Sequence, residues 1–397
     1  DMQREYAQRL PTPGSAVWTD ATLGAGTSAA VANGFPNLDS PFNSDLPYDI
    51  EQIALFGEAT YDVNDQLQLT FGGRYYDLDE SRVITSGGLF ANGDLGTVNE
   101  TTSSGFAPRV LLRYDMNDDV TLNAQISQGV RLGGVNDPLN ANMCTPEDKL
   151  IFGSYQSYDD ETMWNYEVGI KSRLGNGATL NAAVFYADIE NLQATLDAGS
   201  CSSRISFNVP ESKTSGVEIE YISQPTDYLT FSISGSAVNA EFKSTVIDAT
   251  GSVLGGLENG NRLASVPEIQ LAATATYEFP IALGDAYISA TVHHVGDRIT
   301  QPTDQLHGSG DFASGLVFGG ASGADITSLD LELAAYTIFN ARVGVVADNG
   351  WETALYINNV TDENANLSFD RERGGRARLA FRTNQPRTIG ISLRRSF

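Results

Sequence analysis

The chain has 397 residues, with 24 Lys+Arg against 50 Asp+Glu and a net charge of −26 at neutral pH. Such an acidic chain repels phosphate backbones, which excludes nucleic acid as a partner. It contains no run of about 18 apolar residues, so a transmembrane helix is excluded as well.

Taken in chain order, the elements read as strands. From Val120 the apolar set is Val120, Leu122, Ala124 and Ile126, interleaved with Thr121, Asn123, Gln125 and Ser127. From Leu229 the apolar residues alternate with Thr230, Ser232, Ser234 and Ser236, and the stretches from Ile269 and from Ile389 repeat the pattern. Period-2 alternation of this kind marks a strand with one apolar and one polar face. No segment shows a helical period of comparable strength. Fourteen strands are expected, at about 1–9, 49–63, 66–82, 104–116, 120–132, 163–174, 179–196, 212–224, 228–243, 265–279, 286–301, 331–346, 351–369 and 385–397.

The connections alternate between two kinds. Short ones are built of turn residues, such as Asn64-Asp65, Gly175-Asn176-Gly177 and Asp348-Asn349-Gly350. Long polar ones are expected at Leu10–Tyr48, Val83–Ser103, Gly133–Thr162, Asp197–Ser212, Ser244–Ala264, Pro302–Asp330 and Asp370–Asn384. Long strands, short turns at one end and long loops at the other define an all-β transmembrane antiparallel barrel of the outer-membrane type. Lipid offers no hydrogen bonds, so such strands must satisfy one another. Aromatics near the band edges, among them Tyr61, Tyr75, Trp164 and Trp351, are expected in the interfacial girdles. A soluble all-β protein is the other reading of the strands alone, but it leaves the alternating loop lengths unexplained. The chain opens Asp1-Met2-Gln3-Arg4 without an apolar leader, so a processed form or a piece of something longer is expected.

Several segments resemble the C-terminal barrel half of TonB-dependent outer-membrane receptors. They are Tyr48–Asp77, Gly129–Asn136 (GVRLGGVN), Glu161–Lys171 (ETMWNYEVGIK), Lys213–Glu220 (KTSGVEIE), Ala354–Asp362 (ALYINNVTD) and the closing RTIGISLRRSF. The resemblance implies a 22-stranded barrel of which this chain supplies about fourteen strands, residues 1–397 forming its C-terminal portion. It also implies an N-terminal plug that this chain does not contain. It implies energised uptake of a bulky scarce solute, most simply a ferric siderophore, with the TonB–ExbB–ExbD system as partner through that plug. Outer-membrane lipid, lipopolysaccharide and the assembly machinery, the last through Phe397, complete the expected partners. A complete 14-stranded passive channel and a structural or surface-interaction barrel are the alternatives.

Candidate site residues follow from placement. Arg131 faces inward at the top of its strand, before Gly133-Gly134 and Asn136, where an entering ligand would pass; an Arg there can clamp anionic oxygens or form an ion pair. Tyr155, Tyr158 and Trp164, with Phe152, form an aromatic cluster that could stack on a ligand or simply pack within a loop. Cys144 and Cys201 lie in long loops of an oxidising compartment, and a disulfide between them is expected. Arg371, Arg373, Arg376 and Arg378 surround the last outer loop, where phosphorylated lipopolysaccharide or nearby acids could meet them. His293 and His307 lack further ligands at metal-binding spacing, so no metal site, catalytic residue or cofactor is expected.

Overall fold

The computed structural model describes residues 2–141, 144–201, 203–313, 325–371 and 379–396. Fourteen antiparallel strands form one sheet: β1 (Met2–Arg9), β2 (Asn43–Asp62), β3 (Leu67–Gly87), β4 (Leu95–Asn117), β5 (Val120–Arg131), β6 (Glu161–Arg173) and β7 (Thr179–Asp197) make the first half. The second half is β8 (Arg204–Thr226), β9 (Leu229–Phe242), β10 (Ile269–Ile281), β11 (Gly284–Val295), β12 (Tyr336–Ala347), β13 (Trp351–Asn358) and β14 (Thr388–Arg395). Each strand pairs with the next in the chain, so β1 and β14 stand at the two edges of the sheet.

The alternation read from the sequence becomes a two-faced wall. Val168, Val184 and Val217 are directly paired across β6, β7 and β8, and each is about half exposed on the outer face. The opposite face carries polar partners: Thr274 with Thr291 at 3.1 Å and Thr276 with Ser289 at 2.9 Å link β10 to β11 by their hydroxyls. About 10 residues from each short turn suffice to cross the bilayer, so in β3 the spanning stretch runs from Leu67 to roughly Asp77. Large rings stacked on glycines pin the register. A Cβ on Gly105 would lie 2.5 Å from the Tyr76 hydroxyl, and one on Gly344 2.6 Å from the Tyr287 ring.

The strand count agrees with the sequence reading; several boundaries do not. The connections expected at Val83–Ser103 and Asp197–Ser212 shrink to 88–94 and 198–203, because β3, β4, β7 and β8 continue far above the membrane. Their polar composition resembles a loop, yet one face of the β7–β8 hairpin is apolar throughout. Leu192, Ala194 and Leu196 sit opposite Val209, Phe207 and Ile205. Conversely, the strand expected over 351–369 stops at Asn358, and Asn366–Arg371 pairs instead with Leu379–Thr383 in a separate small hairpin.

Among the described residues, three α-helices stand in the outer connections: α1 (Ser15–Leu23), α2 (Thr27–Val31) and α3 (Pro146–Phe152). At five to nine residues they are too short to show a period in sequence. The start of α3 is nevertheless well specified. Thr145 caps it by accepting from the Asp148 amide at 3.2 Å, Pro146 opens it, and Glu147 and Asp148 fill the first turn.

The main buried cluster lies in this outer region rather than within the spanning wall. Phe152, Leu196, Phe207, Phe242, Leu254 and Leu257 belong to it, joining the connections 132–160 and 243–268 to the β7–β8 hairpin. Cys201 belongs to it and Cys144 packs against it, and the two are disulfide-bonded with Cα atoms 4.1 Å apart.

Candidate solute-binding mouth

The connection between β5 and β6 builds the mouth. It is held on one side by the inner face of β3 and β4. Arg82, only 4% exposed, donates to the Tyr48 hydroxyl at 2.8 Å, to the Asn136 carbonyl at 2.9 Å and to Asp137 Oδ1 at 2.7 Å. Asp160, at the other end of the connection, accepts from the Gly133 amide at 2.7 Å, from the Tyr76 hydroxyl at 3.3 Å and from the Ser103 hydroxyl. On the other side it is held by the β7–β8 hairpin, through the disulfide, the Asn136–Ser206 contacts and the Tyr155 ring 5.3 Å from Phe207. The connection is therefore a strap between two hairpins, tied at both ends.

The five expected binding residues are dispersed by this arrangement. Arg131 does lie on the inward set with Asn123, Gln125 and Ser127, and 54% of its side chain is exposed; it pairs with Glu161 at 2.6 Å and donates to the Gln193 carbonyl. Asn136 is buried, and its amide is used on Tyr155 and on both backbone groups of Ser206, which makes it a strand mimic rather than a ligand contact. Tyr155 packs on Phe207. Tyr158 is half-buried, and burial together with the nearby Glu80 carboxylate raises its phenol above the ordinary tyrosine range. Trp164 pairs with Gln128 and shares the outer face with Tyr166 and Val168, pointing it away from the mouth toward lipid. The aromatic cluster thus splits into packing residues and a girdle residue.

Sequence reading missed Arg82, Glu80 and Gln193. Arg82 and Glu80 share a face with Tyr76 by simple alternation, but the sequence reading places the end of the strand there. Gln193 knits the strand tops by donating to the carbonyls of Leu132, at 2.8 Å, and Asp159, at 3.2 Å. Its role depends on a juxtaposition that sequence alone does not show.

Below the mouth the inner wall is polar and grooved. A 650 Å³ hollow lies against β2–β5, lined by Gln52, Phe56, Arg74, Tyr76 and Arg109 among others. A second, of 510 Å³, lies against β5–β11 and includes Glu167, Lys171, Glu218, Glu220, Gln270 and His293. No group of three or more His, Cys, Asp or Glu side chains suited to a metal occurs among the described residues. The side chains of Arg371, Arg373, Arg376 and Arg378, and Phe397, lie outside the described residues.

A wall of long strands, lipid-facing outside and polar inside, with short turns at one end and elaborated connections at the other, defines an outer-membrane β-barrel protein. The chain belongs to the TonB-dependent receptor β-barrel family, matching the family described as "TonB dependent receptor-like, beta-barrel" over residues 6–360. Members of this family are outer-membrane proteins of Gram-negative bacteria, and they are receptors and transporters rather than enzymes.

Solved structures share the fold. The ferric yersiniabactin uptake receptor FyuA from Yersinia pestis matches 90% of this chain and 47% of its own at 18% identity, with a TM-score of 0.68. The siderophore receptor PiuA from Acinetobacter baumannii matches 89% of this chain and 43% of its own at 14% identity and a TM-score of 0.60. The copper transporter OprC matches 90% and 48% at 13% identity and a TM-score of 0.58. The chain therefore spans less than half the length of these structures.

Proposed function

We propose that this chain forms the C-terminal wall of a receptor that imports a bulky, scarce solute across the outer membrane, with a ferric siderophore as the solute. The observation that carries this reading is the strapped mouth above a wide, polar and grooved inner wall. It suits capture of something large more than passage of small ions. Arg131 is the inward group best placed to meet the solute, since its guanidinium is half exposed even while paired with Glu161. FyuA and PiuA are named as receptors for such ligands, which supports the reading by analogy of fold. Energy would come from the TonB–ExbB–ExbD system through a plug contributed by other sequence. Lipopolysaccharide would surround the outer girdle, and Phe397 would serve the assembly machinery. A closed passive channel of fourteen strands would need β1 paired with β14, whereas the sheet order holds them at opposite edges.

The test is uptake of radiolabelled ferric siderophores by iron-limited cells with and without the receptor that carries this wall. Loss of uptake on deletion, restored by the wild-type gene, is expected. Undiminished uptake of every complex tried would overturn the proposal.

A further inference from the structure

An exposed ring is expected where the wall meets lipid, but one stands on the other face. Phe56 is 84% exposed, the highest value among the large apolar side chains described. Its register turns it inward: Phe56 pairs directly with Arg74 on β3, two residues before the inward Tyr76, while the flanking Leu55 pairs with Tyr75 on the lipid side. The pair lies about 20 Å of strand above Asp62 at the short turn, within the spanning band and below the mouth.

Phe56 and Arg74 both line the 650 Å³ hollow against β2–β5, which has the size of a small-molecule site. Gly72 pairs with Arg109 and Ala107 with Arg74, so short residues stand beside long ones and leave the backbone open to a flat group. The charged groups of the hollow are Arg74 and Arg109 against Glu58. Arg109 is committed, donating to Glu58 at 3.2 Å and to Gln125 at 2.9 Å. Arg74 is exposed and, among the described residues, has neither a hydrogen bond nor an ion pair. The 510 Å³ hollow has the reverse balance, with Glu167, Glu218 and Glu220 against Lys171. The hollow of Phe56 also continues from the mouth. Leu132, at the start of the strap, lines it, and so does Tyr76, whose hydroxyl donates to Asp160 at the strap's other end at 3.3 Å.

Resting on the receptor reading above, we infer that this hollow is a transit subsite for an aromatic group bearing an anionic oxygen, such as a phenolate or catecholate edge of the imported complex. Phe56 supplies the face against which such a ring packs, and Arg74 the uncommitted guanidinium that donates to its oxygen. The two requirements are joined: an aliphatic ligand gains little from the ring, and an aryl cation is opposed by the guanidinium. The carboxylates of the other hollow disfavour the same group, which directs it along β2–β5. A solute leaving the mouth beneath the strap meets this stretch of wall first.

The experiment measures uptake by iron-limited cells that carry the whole receptor as their sole receptor for iron complexes. The probes are a ferric tris-catecholate and a ferric trihydroxamate with only aliphatic chains. Phe56→Ala and Arg74→Gln are each expected to slow entry of the catecholate complex about tenfold relative to the trihydroxamate. Phe56→Tyr, which keeps the ring, is expected to retain most of the rate, and this comparison decides the matter where the catecholate complex alone enters. Both side chains are exposed, so the variants should fold, which heat-modifiable electrophoretic mobility checks. Arg74→Lys stands in should Arg74→Gln fail, with an expected loss of about threefold. Equal slowing of both probes would overturn the inference. So would new sensitivity of both variants to a large antibiotic, which would show that the pair holds the plug closed rather than meeting the solute. Entry of the trihydroxamate alone would overturn it while leaving the receptor reading intact, and entry of neither would overturn the receptor reading with it.

Discussion

The spanning wall and the outer cap are built on opposite principles. In the wall, large apolar side chains such as Val168, Val184, Val217 and Ile288 stay about half exposed on the outer face, and stability rests on the continuous ladder and on lipid around that face. In the cap, Leu196, Ile205, Phe207 and Phe242 are at most 2% exposed, and a disulfide and buried Arg82 supplement them as in a small globular domain. One chain therefore solves the same problem twice, once with lipid as the apolar phase and once with its own side chains.

This contrast can be broken from either side. The largest effect is expected in the cap. Phe207→Ala removes a buried ring and should cost about 3–5 kcal/mol locally. Limited proteolysis should then cut within 132–160 or 243–268 while the spanning band survives; simultaneous loss of the band would show that the two regions are not separable. Breaking the disulfide with Cys144→Ser should follow, at roughly 2–4 kcal/mol, read as faster amide exchange in the connection between β5 and β6. In the wall, Val184→Arg places a charge against lipid and should cost about 2–4 kcal/mol near the midplane. Its neighbour Ala183, on the inner face opposite Glu218, should accept Arg at close to no cost, as measured by urea unfolding of the two variants in vesicles. Equal costs at 183 and 184 would contradict the two-faced wall.

The smallest effect concerns pH. The hydrogen bond from Arg262 holds the Asp297 carboxyl below the ordinary aspartate value of 3.8, against the opposing effect of burial. Its stabilisation is therefore complete above that value and is lost as pH falls through the lowered one. Amide exchange in 243–268 should accelerate in that acid window, and Asp297→Asn should remove the acceleration.

Alternation in sequence was sufficient for the wall. Val120–Ile126 and Leu229–Ala237 declare both their conformation and their outward face, and the six short turns fix the hairpins. The cap was less legible because its signals are ambiguous locally. The segment 204–211 reads as a polar loop until the Leu196 face is available to cover Ile205 and Phe207. The mouth was the least legible part. Arg131 could be placed on the inner face from its position at a strand top, but the engagement of Arg82 with Tyr48, Val135, Asn136 and Asp137 depends on where the strap runs. Asn136 and Trp164 show the reverse, residues with suitable chemistry whose placement directs them elsewhere.

In an outer-membrane barrel of this kind the elaborated connections of the cap face the cell exterior and the short turns face the periplasm. Single cysteines at Leu150, on the surface of α3, and at Asp65, in the turn between β2 and β3, can be probed with a membrane-impermeant maleimide on intact cells. Labelling is expected at position 150 in whole cells, and at position 65 only after the outer membrane is disrupted. Labelling of position 65 on intact cells, with position 150 protected, would contradict it.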